Sequence, residues 1–268
     1  MQKLSTFDLF VMSLLALFYL LPVTVTILYA LAEKWYFGED IFPTQVGLAW
    51  ILTIANDPYV QRAFINSYIL APLTAIATIL LCILPAYYLA TNRGFASILT
   101  ETLVNLSMAL PAIVIGTGLL VIYTLLGLRG NLLALVPAHM IFAVPFSLRS
   151  ITASFMQVPR ELEEAARILG ASRYQVILKV YLPLTWRGFL AAFIFSMAIS
   201  LNEFVMTLLL GAPSIKTLTI VVYELIRGYA ISPTRAAATS LFILVPSLLA
   251  GFLSEKYLRV SLSLAGGR

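Results

Sequence analysis

Carboxylates invite the first chemical reading of this 268-residue sequence, and they stand in two unlike settings. Asn202 and Glu203 interrupt an apolar run, with Phe195 to Leu201 before them and Phe204 to Gly211 after. Burying a charge at the centre of a bilayer costs about 2.5–3.5 kcal/mol on insertion scales, so such a group faces a cavity or a partner. Its chemistry would be electrostatic, the attraction of a cationic solute along a path. The alternative is a structural group, hydrogen-bonded between helices or protonated. In the second setting Glu161, Glu163 and Glu164 lie among Arg160, Arg167, Arg173, Lys179 and Arg187. Charge of both signs on one polar segment suits the docking of another protein.

Catalytic chemistry finds little support. No Gly-x-x-x-x-Gly-Lys-Ser/Thr phosphate loop occurs, so nucleotide binding by that device is absent from this chain. One histidine, His139, and one cysteine, Cys82, are too few for a His/Cys metal cluster, and no Gly-x-Ser-x-Gly elbow marks a hydrolase. Cys82 has no partner for an intramolecular disulfide, and the redox compartment stays open. His139, between Pro137 and Pro145, reads as a packed residue, with path lining or pH sensing as the alternative.

The elements that must carry these residues are set by composition. The chain is 61% hydrophobic and 11% charged, with a mean hydropathy of +0.97, which excludes an ordinary soluble domain. Its net charge of +5 comes from 17 basic residues sitting in short gaps between apolar runs, where they act as topology signals rather than as a nucleic-acid surface. Apolar runs long enough to cross a bilayer fall at about 9–32, 64–90, 100–126, 132–155, 188–210 and 236–253. The expected fold is therefore an all-α membrane protein with six transmembrane helices, forming one domain over residues 1–268. Helices satisfy every backbone group within the segment, and the runs lack the alternation of a barrel strand.

Lys3, the first apolar run and Ala30-Leu31-Ala32 imitate a signal peptide. The run from Leu9 to Ala32 has 24 residues, against roughly 7–15 in a signal core and about 20 in a span, so it is expected to be a retained helix. Proline falls inside several spans, at Pro22, Pro72, Pro85, Pro111, Pro137, Pro145 and Pro246, where each removes a hydrogen bond and tends to bend the helix. Tyr19, Tyr29, Tyr87, Tyr88 and Tyr123 read as interfacial or packing aromatics, a few of which could touch a solute.

With the N-terminus inside, eleven basic residues face the cytoplasm: Lys3, Arg93, Arg149, Arg160, Arg167, Arg173, Lys179, Arg187, Lys256, Arg259 and Arg268. Six, namely Lys34, Arg62, Arg129, Lys216, Arg227 and Arg235, face outward. That bias places both termini in the cytoplasm. The outer segments are then 33–63, a tight turn at Gly127-Leu128-Arg129-Gly130, and 211–235, none large enough to fold alone.

The longest cytoplasmic stretch, 156–187, joins spans four and five and reads as two short helices. Pro159 suits a first helical position, and Glu161, Glu163 and Glu164 complement the positive end of the helix dipole. Gly170 is a natural stop, after which Ser172 can cap a second helix toward Pro183. Leu162, Ala165, Ala166 and Leu169 are expected on one side, with Arg160, Glu163, Glu164 and Arg167 as a charged rim.

These residues carry a family resemblance. Glu164-Ala165-Ala166, Gly170 three residues later, and Val180-Tyr181-Leu182-Pro183 after nine more resemble the EAA loop of ABC importer permeases, with Val180 in the place of isoleucine. The resemblance implies that Glu164, Ala165, Ala166, Gly170, Leu182 and Pro183 belong to a coupling helix and its support. That helix would dock on a separate ATPase subunit.

The resemblance also implies two ATPase subunits holding ATP and Mg, an extracellular substrate-binding protein that delivers cargo, and a second permease subunit, similar or identical to this one, with likeness to the polyamine-type branch favouring a heterodimer. The setting is a prokaryotic cell membrane, and this subunit is not itself an enzyme. The string Ser200-Leu201-Asn202-Glu203-Phe204-Val205 is similar to the acidic segment of the polyamine (spermidine/putrescine) branch, and Pro213, Leu218, Tyr223 and Ser232-Pro233 fit its layout. A polyamine or other organic cation is the cargo so implied. Sugar, anion or phosphonate cargo has the same architecture, and a self-sufficient secondary transporter is the rival from another class.

Overall fold

The computed structural model describes residues 5–35, 40–228 and 231–265. Lys3 and Arg268, counted above on the inner side, lie outside the described residues, as do the side chains of Lys256 and Arg259. Helix α1 (Thr6–Leu31) begins with a capping box, in which Ser5 Oγ accepts from Phe7 N–H and Asp8 accepts from Ser5 N–H at 2.9 Å. A small antiparallel pair follows, β1 (Ala32–Lys34) with β2 (Gln45–Val46), and then α2 (Ala49–Asn56).

Helix α3 (Pro58–Thr91) starts at residue 58 rather than near 64. Asp57 caps it by accepting from Tyr59 N–H at 2.9 Å, and Pro58 occupies the first turn, where no donor is missed. The polar first turn escapes a hydropathy window, but the Asp-Pro pair is a start signal in its own right.

The remaining elements are α4 (Phe95–Ala109), α5 (Ala112–Leu125), α6 (Leu132–Phe155), α7 (Arg160–Ile168), α8 (Arg173–Val176), α9 (Leu182–Leu184), α10 (Trp186–Asn202), α11 (Leu218–Arg227) and α12 (Pro233–Ala265). Short π-helical turns at Ile177–Tyr181 and Thr207–Gly211 lie between α8 and α9 and beyond α10. Among the described residues four helices are long and apolar enough to span a membrane, or up to six if each of two bent pairs is one span.

The bends follow the proline pattern only in part: Pro111, one of the seven expected to bend a span, stands at a sharp break, while others do not. Helix α3 runs unbroken through Pro72 and Pro85, and α6 through Pro137 and Pro145. Sharp breaks fall between α4 and α5 at Leu110-Pro111, with a turn of 99°, and at Thr185, where the segment 173–184 meets α10 at 81°. Neighbouring helices can re-satisfy the backbone groups that a proline frees, so sequence alone does not say which proline bends its helix.

Helices α3, α6 and α10 pack on one another, with α12 against α10 and α1 against α12. Their contacts are made by small and hydroxyl residues. Ala71, Ala75, Ala86, Ala143, Ala191 and Ala192 are fully buried, and Ser147 Oγ meets Ser196 Oγ at 2.5 Å across the α6–α10 interface. Lipid is as apolar as leucine, so close backbone approach and interhelical hydrogen bonds supply the association that the hydrophobic effect supplies in water. Gly188 shows how close: a Cβ there would lie 2.5 Å from Ser154 Cβ.

Candidate functional site: the stub between α6 and α10 and the break after α10

Local signals build the stub between α6 and α10. Pro159 sits one position before the first helical residue, with φ −58° and ψ 132°, and Glu161 and Glu163 occupy the first turn of α7. The stop at Gly170 is a Schellman turn. Gly170 adopts φ +84°, its N–H reaches the Arg167 carbonyl at 2.9 Å, and Ala171 N–H reaches the Ala166 carbonyl at 3.0 Å. Only glycine takes that left-handed conformation cheaply. Ser172 then starts α8 with a capping box, its Oγ accepting from Gln175 N–H at 3.3 Å while Gln175 Oε1 accepts from Ser172 N–H at 2.8 Å.

The two faces of α7 differ from the sequence expectation. Glu163 turns inward, and Arg167, itself exposed, reaches back to it. Tyr87 Oη donates to Glu163 Oε1 at 2.6 Å, Tyr181 Oη donates to Glu163 Oε2 at 2.7 Å, and Arg167 Nε donates to Glu163 Oε1 at 2.9 Å. Arg167 Nη2 also donates to Tyr87 Oη at 3.0 Å. Burial alone would raise the Glu163 carboxyl, but the hydrogen bonds from Tyr87, Tyr181 and Arg167 and the guanidinium charge together hold it below the ordinary carboxylate value. Behind them the rings of Tyr87 and Tyr181 pack edge to face at 5.2 Å, and Phe155 packs on Tyr181 at 5.1 Å. A polar latch thus ties α7 to α3 and to the π-helical turn above an aromatic floor.

What the latch leaves outward is mixed. Glu164 and Ala165 are exposed, while Ala166 and Leu182 pack against the core and Pro183 is exposed. Leu169, expected to point with Ala166, is 87% exposed, because it falls at the cap where the chain leaves the helix. Ile168, which the sequence reading passed over, is 86% exposed beside it. Two large apolar side chains are thus exposed at the tip of the stub, next to Glu164.

The other candidate residues lie elsewhere, at the far end of α10, about 25 Å away along its 17 residues. Asn202 is the last residue of α10 and donates to the Ala198 carbonyl at 2.8 Å and to Ser247 Oγ of α12 at 2.9 Å. Glu203 leaves helical geometry, with φ −71° and ψ 119°. Its Oε1 accepts from Met206 N–H at 2.9 Å, capping the helical turns that resume beyond it. The fifth apolar run is therefore interrupted at the carboxylate rather than continuous through it. His139 is fully buried between α6 and this break.

Lys216, which the sequence marks only as a topology charge, donates to Tyr59 Oη at 2.6 Å and to Glu224 Oε1 at 2.7 Å. Tyr59 also donates to Glu224, so that α11 is fastened to the start of α3.

The chain is similar to known proteins in both sequence and fold. The family described as binding-protein-dependent transport system inner membrane component matches residues 83–258. The molybdate/tungstate transport system permease protein WtpB of Thermococcus kodakarensis is 28% identical over 68% of this chain and 73% of that protein. The spermidine/putrescine transport system permease protein PotC of Escherichia coli K12 is 26% identical over 73% of this chain and 74% of its own length. In fold, the chain resembles one from the crystal structure of a bacterial ABC transporter that imports the acidic polysaccharide alginate, with a TM-score of 0.69, 19% identity and 94% of each chain covered.

Proposed function

The chain belongs to the family of binding-protein-dependent transport system inner membrane components, the permease subunits of ABC importers, and from that premise we propose how it works. It forms half of a translocation path, with a second permease subunit supplying the other half as a heterodimer. Two separate ATPase subunits hold ATP and Mg, and an extracellular substrate-binding protein delivers a small solute.

The observation that supports this reading is the stub between α6 and α10. Glu164, Ala165 and the exposed Ile168 and Leu169 form its outer surface, and Gly170 fixes its end. Ala166, Leu182 and Pro183 belong to its support. When the ATPase subunits close on ATP, α7 follows them. The Glu163 latch carries that displacement to α3, and the 81° junction at Thr185 carries it to α10. Transmission needs a contact that differs between two states and a rigid element to convey it, and a helix capped at its end and latched along its side is such an element.

For cargo, the proposal is a polyamine or another organic cation, with Asn202 and Glu203 on its path. A carboxylate at the break of the fifth span and the PotC likeness support it. The names of the other relatives support an anionic cargo as the second reading, molybdate or tungstate for WtpB and alginate for the solved transporter. The coupling half is tested by placing a photo-crosslinker at Ile168 in membranes of the native host. Labelling of a nucleotide-binding subunit is expected, and labelling of lipid alone would count against it.

A further inference from the structure

His139 is the chain's one histidine, and none of its surface is exposed. Burying an imidazole among membrane helices is unfavourable unless both ring nitrogens find partners. Both do. Nδ1 lies 2.9 Å from Ser200 Oγ, and Nε2 lies 3.1 Å from Thr207 Oγ1. Ser200 belongs to α10, two residues before it ends, and Thr207 opens the π-helical turn that follows. The imidazole therefore bridges the interruption at Glu203 and Phe204, with one bond on each side.

The direction of the bonds follows from the network. Ser200 Oγ donates to Thr74 Oγ1 of α3 at 3.4 Å, which leaves it as the acceptor from His139 Nδ1–H. Nε2 then lacks a proton and accepts from the Thr207 hydroxyl. One chain of hydrogen bonds, from Thr207 through His139 and Ser200 to Thr74, ties both halves of the broken span to α6 and α3. No other residue type present here has two nitrogens set so far apart on a rigid ring.

We propose that His139 is a positioning residue that staples the two halves of the fifth span together, so that the break at Glu203 transmits motion between them instead of absorbing it. The proposal rests on the reading of this span as a moving wall of the path. A span broken in mid-membrane has lost the continuous backbone ladder that would make it a rod. Without a staple, displacement arriving at α10 from the stub would be lost as bending at Glu203. With it, the outer half, which packs Met206 and Leu210 against Leu70 and Tyr123, moves with the inner half.

The test is amide hydrogen exchange on the assembled importer in nanodiscs, comparing His139→Leu, His139→Gln and Thr207→Val with the wild type. For His139→Leu, exchange in segment 203–211 should rise about five- to tenfold, as expected for two lost interhelical hydrogen bonds, with α3 and α6 unchanged. Thr207→Val keeps shape and removes the donor, and should raise exchange in the same segment. His139→Gln, whose amide oxygen reaches the Nε2 position, should restore most of the protection. In the same variants, stimulation of ATP hydrolysis by the binding protein should fall several-fold for Leu and Val and recover for Gln.

Unchanged exchange at 203–211 in Thr207→Val, or faster exchange spread equally over α3 and α6, would overturn the staple. The exchange measurement needs no cargo. Failure of the importer reading would appear separately, as the absence of ATP hydrolysis in the wild type.

Discussion

Tyr87, near the end of α3, donates a hydrogen bond to Glu163 of α7 at 2.6 Å, joining groups 76 positions apart in sequence. It makes the stub between α6 and α10 part of the helix bundle rather than a loose loop. Removing the donor with Tyr87→Phe leaves a half-buried carboxylate one partner short. The expected cost is about 1–2 kcal/mol locally, and trypsin should cut faster at Arg167 and Arg173 in the detergent-solubilised importer. Glu163→Ala should do the same and also lower coupled transport, whereas Glu161→Ala, on the exposed side, should leave both unchanged.

The same carboxylate predicts a pH response. Its folded value is held below the ordinary 4.5, so the unfolded stub binds the proton more readily than the folded one. The stabilisation is full above that ordinary value and is lost as pH falls through the lower, folded one. Hydrogen exchange of segment 160–170, followed from about pH 6 to about pH 3 and corrected for intrinsic rates, should show protection declining only at the acid end. In Glu163→Gln the protection should be lower throughout and flat.

Gly170 is held at φ +84° with open space where a Cβ would stand, so a substitution there meets backbone strain and no clash. Gly170→Ala should destabilise the turn by about 1–2 kcal/mol, and Gly170→Asn by less. Thermal unfolding of the purified chain should move little, because the strain is confined to the stub. ATPase association, measured by copurification, should fall less for Asn than for Ala.

Glu203 allows charge and capping to be separated. Glu203→Gln keeps an oxygen for Met206 N–H and removes the charge, while Glu203→Ala removes both. Loss of the cap should cost about 1 kcal/mol and appear in Ala alone as lower thermal stability. Uptake of labelled spermidine should fall in both variants, with ATPase docking intact. Uptake by Gln at the wild-type level would take the charge of Glu203 off the path.

The sequence was most legible where a structure is made by neighbours. Gly170 as a stop and Ser172 as a cap are short-range devices, and they stand where their residue types place them. Asp57-Pro58 is equally local, but hydropathy, which places spans, does not read polar start signals. The latch of Glu163 with Tyr87 and Tyr181, and the bonds of His139 to Ser200 and Thr207, join distant segments and leave no periodic trace. Helical spacing put Glu163 on a charged rim because tyrosine hydroxyls able to receive it belong to other elements. The break at Glu203 was hidden because a carboxylate inside an apolar run reads as a buried helical residue until its side chain is seen capping the turn that follows.

Entry of motion through the stub is tested most directly by isolating the chain from its native membranes. A nucleotide-hydrolysing subunit should copurify with the wild-type chain, two per permease pair, and should be lost from Glu164→Lys and Gly170→Asp while both variants remain inserted in the membrane. Isolation of the chain without any ATPase, together with solute uptake into liposomes driven by an ion gradient alone, would contradict the account.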